Sequence, residues 1–310
     1  MKHFLSLAHL TPAEMQHILD LSLSIKQEWK AGNAPPYLKN KVLGMIFQKP
    51  SLRTRVSFDV AMLQLGGNGL YLSPNEIQLG KRESTADVAR VISRYVDVIM
   101  ARVFAHADVV ELAKYATVPV INGLSDYSHP CQGMADFLTI LEHKGGFQGK
   151  KLTYLGDGNN VATSLLLGAA LLGMNFTIAA PRGYEVHPAT WALGQQLAAQ
   201  TGAHLAATYD PLAAAADADV LYTDTWTSMG QEEESEQRRK IFPPYRVDES
   251  KLRCAKPDVI VMHCLPAHRG EEITDAVADG PHSALFDQAE NRLHAQKGIL
   301  VWALEAENCK

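Results

Sequence analysis

Ser51-Leu52-Arg53-Thr54-Arg55 gathers two hydroxyls and two guanidiniums into one short stretch. The apolar run from Val42 to Phe47 before it reads as a buried strand, Pro50 and Ser51 as a turn and N-cap, and Val56, Phe58, Ala61, Met62 and Leu65 as one face of a helix. A helix start presents free backbone N–H groups and a partial positive charge. With hydroxyls and guanidiniums added, it suits a phosphate or a similar dianion. The plainer alternative is a capped helix with solvated arginines.

Other strand ends carry chemistry too. Arg102 directly follows a short strand at 98–100, and His129-Pro130-Cys131-Gln132 opens a helix after a strand at 119–121. Arg53, Arg102 and His129 are thus expected at one crevice, where Gln132 adds an amide; the set suits a phosphate joined to a polarised carbonyl. In the second half, Gly156-Asp157-Gly158-Asn159-Asn160 matches a dinucleotide fingerprint only loosely, because Val161 stands where a third glycine is needed. Its two asparagines could instead bind a zwitterionic amino acid. Asp224-Thr225-Trp226-Thr227-Ser228-Met229-Gly230 offers a carboxylate for an ammonium and a hydroxyl for a charged group. The charged stretch Gln231 to Lys240 reads as a solvated, mobile loop. His263-Cys264-Leu265-Pro266 places a thiol at a strand end in a loop fixed by proline, and no Ser-His-Asp or Cys-His-Asn grouping calls for covalent catalysis.

These positions need an alternating framework. Helices are expected over 11–30, 54–66, 84–95, 106–116, 131–144, 160–173, 188–201 and 211–217. Strands are expected over 42–48, 70–72, 98–100, 119–121, 151–155, 175–180, 204–208, 220–223 and 258–262, with a polar loop at 73–84. Thr11, Pro12 and Glu14 form the start signal of the first helix. The fold class is α/β, with two doubly wound parallel-sheet domains, and ligands in such folds sit beyond the carboxyl ends of strands. The expected domains are 1–144 and 145–290, broken near Gly145-Gly146 and Gly149, with a helix at 291–310 packing back on the first.

A chain of 310 residues with 46% hydrophobic and 20% charged residues is globular and long enough for two cores. A formal net charge of −5 argues against nucleic acid and anionic membranes as partners. No apolar run reaches the ~20 residues that cross a bilayer, and no signal peptide is evident. The four cysteines lack C-x-x-C spacing, which points to free thiols in a reducing compartment and to no metal site.

Taken together the motifs resemble the aspartate/ornithine carbamoyltransferases, of the ornithine type, over nearly the whole chain. Ser51-Leu52-Arg53-Thr54-Arg55 and His129-Pro130-Cys131-Gln132 are similar to motifs for carbamoyl phosphate that both types share, with Cys131 in place of the usual threonine. Asp224 with Ser228-Met229-Gly230, and His263-Cys264-Leu265-Pro266, are similar to the ornithine-type signature. The resemblance implies that Ser51, Leu52, Arg53, Thr54, Gln78, Arg102, His129, Gln132, Cys264, Leu265 and Arg292 take carbamoyl phosphate, with Gln78 reaching the site of a neighbouring subunit. It implies that Asn160, Asp224, Ser228 and Met229 take L-ornithine, and that Arg102, His129 and Cys264 act in catalysis. It further implies a cytoplasmic homotrimer, or multiples of it, with no cofactor. The reaction would be carbamoyl transfer to the δ-amine of ornithine, giving citrulline and phosphate. Putrescine or an N-acylated ornithine is the alternative acceptor. A nicotinamide-dependent dehydrogenase rests only on two α/β domains and Gly156-x-Gly158, and an amino-acid-binding protein would leave the arginine and histidine cluster of the first half without a use.

Overall fold

The computed structural model describes residues 1–227 and 232–305. The chain divides into two compact units, Met1–Leu138 with Asn291–Lys310, and Thr139–Glu290.

In the first unit, α1 (Pro12–Lys30) starts at a full capping box. Glu14 N–H donates to Thr11 Oγ1 at 3.2 Å, and Thr11 N–H donates to the Glu14 carboxylate at 2.9 Å. Strands β1 (Val42–Phe47), β2 (Asn68–Leu72), β3 (Val98–Arg102) and β4 (Val120–Leu124) form one parallel sheet in the order β2-β1-β3-β4. Their connections run through α2 (Leu52–Gln64), α3 (Pro74–Ile77), α4 (Thr85–Ile92) and α5 (His106–Tyr115), and α6 (Pro130–Lys144) follows β4. The near-continuous burial of β1, β3 and β4 suits strands covered on both faces. The order reverses between β1 and β3, so the loops leaving these neighbours diverge and open a crevice at their carboxyl ends. Phe47 pairs with Arg102, which sets the two strand ends level.

The second unit repeats the scheme. Strands β5 (Lys151–Leu155), β6 (Asn175–Ala179), β7 (Leu205–Thr208), β8 (Val220–Thr223) and β9 (Ile260–His263) are parallel in the order β7-β6-β5-β8-β9, with the reversal between β5 and β8. Helix α7 (Asn160–Leu172) is buried on nearly every side and stops at Gly173, whose φ of +70° is the left-handed cap that glycine takes without strain. Helices α8 (Pro188–Thr201), α9 (Pro211–Ala215), α10 (Ser235–Ile241), α11 (Glu249–Cys254) and α12 (Asp275–Ala278) follow, and α13 (Leu285–Glu305) closes the described chain. Residues of α13 from Asn291 on group with the first unit, where the Trp302 ring packs edge-on against Phe4 at 6.1 Å.

The framework agrees with the alternation expected from sequence, with three corrections. The polar loop 73–84 contains α3, whose Ser73 and Glu76 form a capping signal: Ser73 N–H and Oγ donate to the Glu76 carboxylate at 3.0 and 2.7 Å. The final helix begins at Leu285 and not near residue 290. The charged stretch after β8 is not a solvated loop over its described part. It forms a 3-10 turn at Glu232–Glu234 and then α10, in which Arg238 is buried. Gln231, at the start of that stretch, lies outside the described residues.

Candidate functional site

In the first unit the start of α2 is built as its sequence requires. Ser51 is the N-cap, accepting from Thr54 N–H at 3.4 Å and donating its own hydroxyl to Thr54 Oγ1 at 3.0 Å. Thr54 is buried, and two guanidiniums converge on its hydroxyl oxygen: Arg102 Nη1 and Arg292 Nη2, each at 3.4 Å. Arg292 also donates to Gln132 Oε1 at 2.7 Å and lies 3.5 Å from His129 Nε2. Gln132 is held from its other end, where Nε2 donates to Asp136 at 2.7 Å. Residues from β3, the start of α6 and α13 therefore meet the helix start at one buried cationic cluster. Burial, and then the charges of Arg292, Arg102 and Lys49, hold the His129 imidazole well below its usual pKa. The ring is neutral at pH 7 and has one N–H to donate, as a carbonyl oxygen requires.

Arg53 and Leu52 stand exposed in the first turn of α2. Arg55 does not join them. Its guanidinium stacks over the Tyr71 ring at 4.1 Å and pairs with Asp59 at 3.7 Å, so one of the two arginines counted toward an anion site serves the packing of α2 on β2. Gln78 is exposed at the end of α3 with φ of +41°, its amide donating to Asn75 O at 3.3 Å. The Cys131 thiol is buried, pushed up to about 12 by that burial, and donates to Asn122 O at 3.4 Å; it is an inert packing group.

Sequence reasoning passed over Lys49. It is buried at the end of β1 with its ammonium 4.9 Å over the Phe104 ring. Burial and then the Arg102 charge bring its pKa down to about 8. A lysine one step before the turn proline at a strand end was the available signal.

In the second unit the strand ends on either side of the β5/β8 reversal are tied together. Asn159 caps α7, accepting from Val161 and Ala162 N–H at 2.9 and 3.1 Å, and its Nδ2 donates to Asp224 Oδ2 at 2.9 Å. Of the two asparagines, Asn159 is thus committed to the framework, and Asn160 opens the helix beside it. The other oxygen of buried Asp224 accepts from Thr225 N–H at 2.8 Å and from the Cys264 thiol at 2.9 Å. Buried Tyr154 lies beneath, its phenol pushed well above the ordinary value by burial and then by Asp224, Asp157 and Cys264. Ser228, Met229 and Gly230 lie outside the described residues.

The loop carrying Cys264 is fixed from behind. His263 is fully buried; its Nδ1 accepts from Leu265 N–H at 2.8 Å, so the ring proton sits on Nε2, which meets the Glu272 carboxylate at 3.0 Å. This bond holds Leu265 in a left-handed conformation, φ +54°, that leucine seldom adopts, beside a cis bond to Pro266. Asp224, His263 and Cys264 bring potential metal-ligating atoms within 4.8 Å of one another, as do His268, Glu271 and Glu272. Both nitrogens of His263 are already engaged, so the first set serves the loop as it stands.

Gly158 answers the dinucleotide reading. A Cβ added there would lie 2.3 Å from Val186 N and 2.5 Å from the Glu185 carbonyl carbon, so this glycine admits a neighbouring backbone segment.

Comparison with known proteins decides the family. The profile described as the aspartate/ornithine carbamoyltransferase carbamoyl-P binding domain matches residues 2–142, and that described as the Asp/Orn binding domain of the same enzymes matches residues 148–303. The chain belongs to the aspartate/ornithine carbamoyltransferase family. Among its carbamoyltransferase relatives, the ornithine carbamoyltransferase of Thermococcus kodakarensis is 56% identical over 297 residues, covering 96% of this chain and 94% of that protein. The solved ornithine carbamoyltransferase of Pyrococcus furiosus superimposes with a TM-score of 0.94 at 55% identity, over 96% of each chain. The anabolic ornithine carbamoyltransferase of Campylobacter jejuni does so with a TM-score of 0.93 at 38% identity, over all of both chains. The second carbamoyltransferase profile runs on into α13, whereas the structure groups that helix from Asn291 with the first unit. Among the described residues no helix is long and apolar enough to cross a membrane.

Proposed function

We propose that the chain transfers the carbamoyl group of carbamoyl phosphate to the δ-amine of L-ornithine, giving L-citrulline and phosphate. The observation that carries the choice of acceptor is Asp224: a buried carboxylate, held on one oxygen by Asn159 and on the other by the Cys264 thiol, suits an alkylammonium and would repel the side-chain carboxylate of aspartate. The names of the relatives support the same choice.

On this reading the first domain, 1–144, holds carbamoyl phosphate through Ser51, Leu52, Arg53, Thr54, Arg102, His129, Gln132 and Arg292, the last from the helix 291–310. The second, 145–290, holds ornithine through Asn160, Asp224, Ser228 and Met229, with Cys264 and Leu265 reaching the carbamoyl group. Gln78 would contribute to the site of a neighbouring subunit in a cytoplasmic homotrimer. The backbone N–H groups that open α2, with Arg53, take the phosphate. Attack on the carbonyl carbon moves charge onto its oxygen, where Arg102, Thr54 and the neutral His129 donate. The amine attacks only in its neutral form, and Asp224 by itself favours the ammonium, so desolvation or nearby cations must oppose it. The departing phosphate accepts the proton, and no dedicated protein base is needed. The test is direct: purified protein given carbamoyl phosphate and L-ornithine should release citrulline and phosphate in equal amounts. Phosphate release without citrulline would contradict the reading.

A further inference from the structure

Arg238 has no part in that chemistry, yet it is only 4% exposed on a short helix whose Glu236, Gln237, Arg239 and Lys240 are all exposed. A guanidinium taken out of water is costly unless its donors are met. Nη1 donates to Asp157 Oδ2 at 2.6 Å and to Trp226 O at 2.8 Å. Nε and Nη2 reach Glu234 Oε2 at 3.0 and 2.9 Å, and the ring of Tyr184 lies 4.8 Å below the guanidinium carbon. Burial works against its charge, and the Asp157 and Glu234 carboxylates more than offset it.

Two of these partners lie on the loops that flank the switch point of the second sheet. Asp157 follows β5, and Trp226 follows β8. Asp224 stands two residues before Trp226, and its partner Asn159 stands two residues after Asp157. The two strand-end loops are therefore joined twice, by Asn159–Asp224 at 2.9 Å and by Arg238 to both sides. A packing role would be met by an apolar side chain of similar volume at lower desolvation cost. Joining a carboxylate on one loop to a carbonyl on the other takes a planar fork of donors.

We propose that Arg238 is a positioning residue for the acceptor: with Asp157 it clamps the loop after β8 onto the loop after β5, and so holds Asp224 where the acceptor's amine is bound. The inference rests on Asp224 as the ligand of that amine.

The test compares Arg238→Lys and Asp157→Asn with the unchanged protein, varying each substrate separately and following the melting temperature. The unchanged protein must make citrulline; if it does not, the functional reading fails before the clamp is in question. Given that activity, each variant should raise the KM for ornithine about tenfold, leave the KM for carbamoyl phosphate within about twofold, and keep a folded chain. The double variant should be no worse than the worse single one, because both remove the same link. Equal losses for both substrates, an unchanged ornithine KM in folded variants, or two variants that do not fold would each reduce Arg238 to a packing residue and overturn the proposal.

Discussion

The Cys264 thiol donates to Asp224 Oδ1 across 2.9 Å, joining the ends of two neighbouring strands, β8 and β9. On the proposed reading the thiol is a hydrogen-bond donor that shares this carboxylate with the incoming amine, and not a nucleophile. Cys264→Ala should lower kcat/KM for ornithine by about tenfold, the worth of one hydrogen bond to a charged group, and leave measurable turnover. Trapping a carbamoyl-thioester on the unchanged protein by mass spectrometry would overturn this role.

Arg53 is exposed in the first turn of α2, and on the proposed reading its planar guanidinium takes two phosphate oxygens at once. Arg53→Lys keeps the charge and loses the fork, so kcat/KM for carbamoyl phosphate should fall by roughly ten- to a hundredfold with an unchanged melting temperature. Kinetics close to those of the unchanged protein would remove Arg53 from the phosphate site.

The motifs around Arg53, Arg102, His129, Asp224 and Cys264 were legible in the sequence because each falls where a buried strand run meets a helix start, and period and capping signals mark such junctions. What those side chains do there was less legible. Arg55 and Arg53 look alike in a string, and only the position of Tyr71 on the edge strand separates them. Asn159 and Asn160 differ by one step in helix phase, which decides that Asn159 is the cap. The burial of Arg238 could not be read at all, because its carboxylate partner Asp157 comes from a loop distant in sequence, and a run of charges carries no trace of it.

The two substrates should respond to pH with opposite signs. An alkylammonium with a pKa of ~10.4 exposes more neutral amine as pH rises, so the ornithine KM should fall from about pH 6 to about pH 8.5. Lys49 is charged below its value of about 8 and loses that charge as pH rises through it. If its charge supports carbamoyl phosphate beside Arg102, the KM for that substrate should rise severalfold toward about pH 9. Lys49→Arg should abolish that rise, since arginine stays charged. A carbamoyl phosphate KM that is flat with pH in the unchanged protein would exclude Lys49 from the site.

On the proposed reading, assembly and chemistry meet at Gln78, which is exposed at the end of α3. In a trimer with shared sites, Gln78→Glu and Arg53→Ala should each be inactive. Unfolding, mixing and refolding them together should restore activity in proportion to the mixing ratio, because some sites regain both intact residues. Mixed trimers that form but stay inactive would place Gln78 within its own chain or outside the site.

The central claim is that ornithine is the acceptor, and an acceptor panel tests it most directly. Carbamoyl phosphate is supplied with L-ornithine, N-acetylornithine, N-succinylornithine, putrescine or L-aspartate, and kcat/KM is measured for each. The account predicts that ornithine exceeds every other acceptor by at least about a hundredfold, because on it Asp224 selects the ω-amine and the Asn160 region takes the α-amino acid end. A higher value for putrescine, an N-acylated ornithine or aspartate would contradict it.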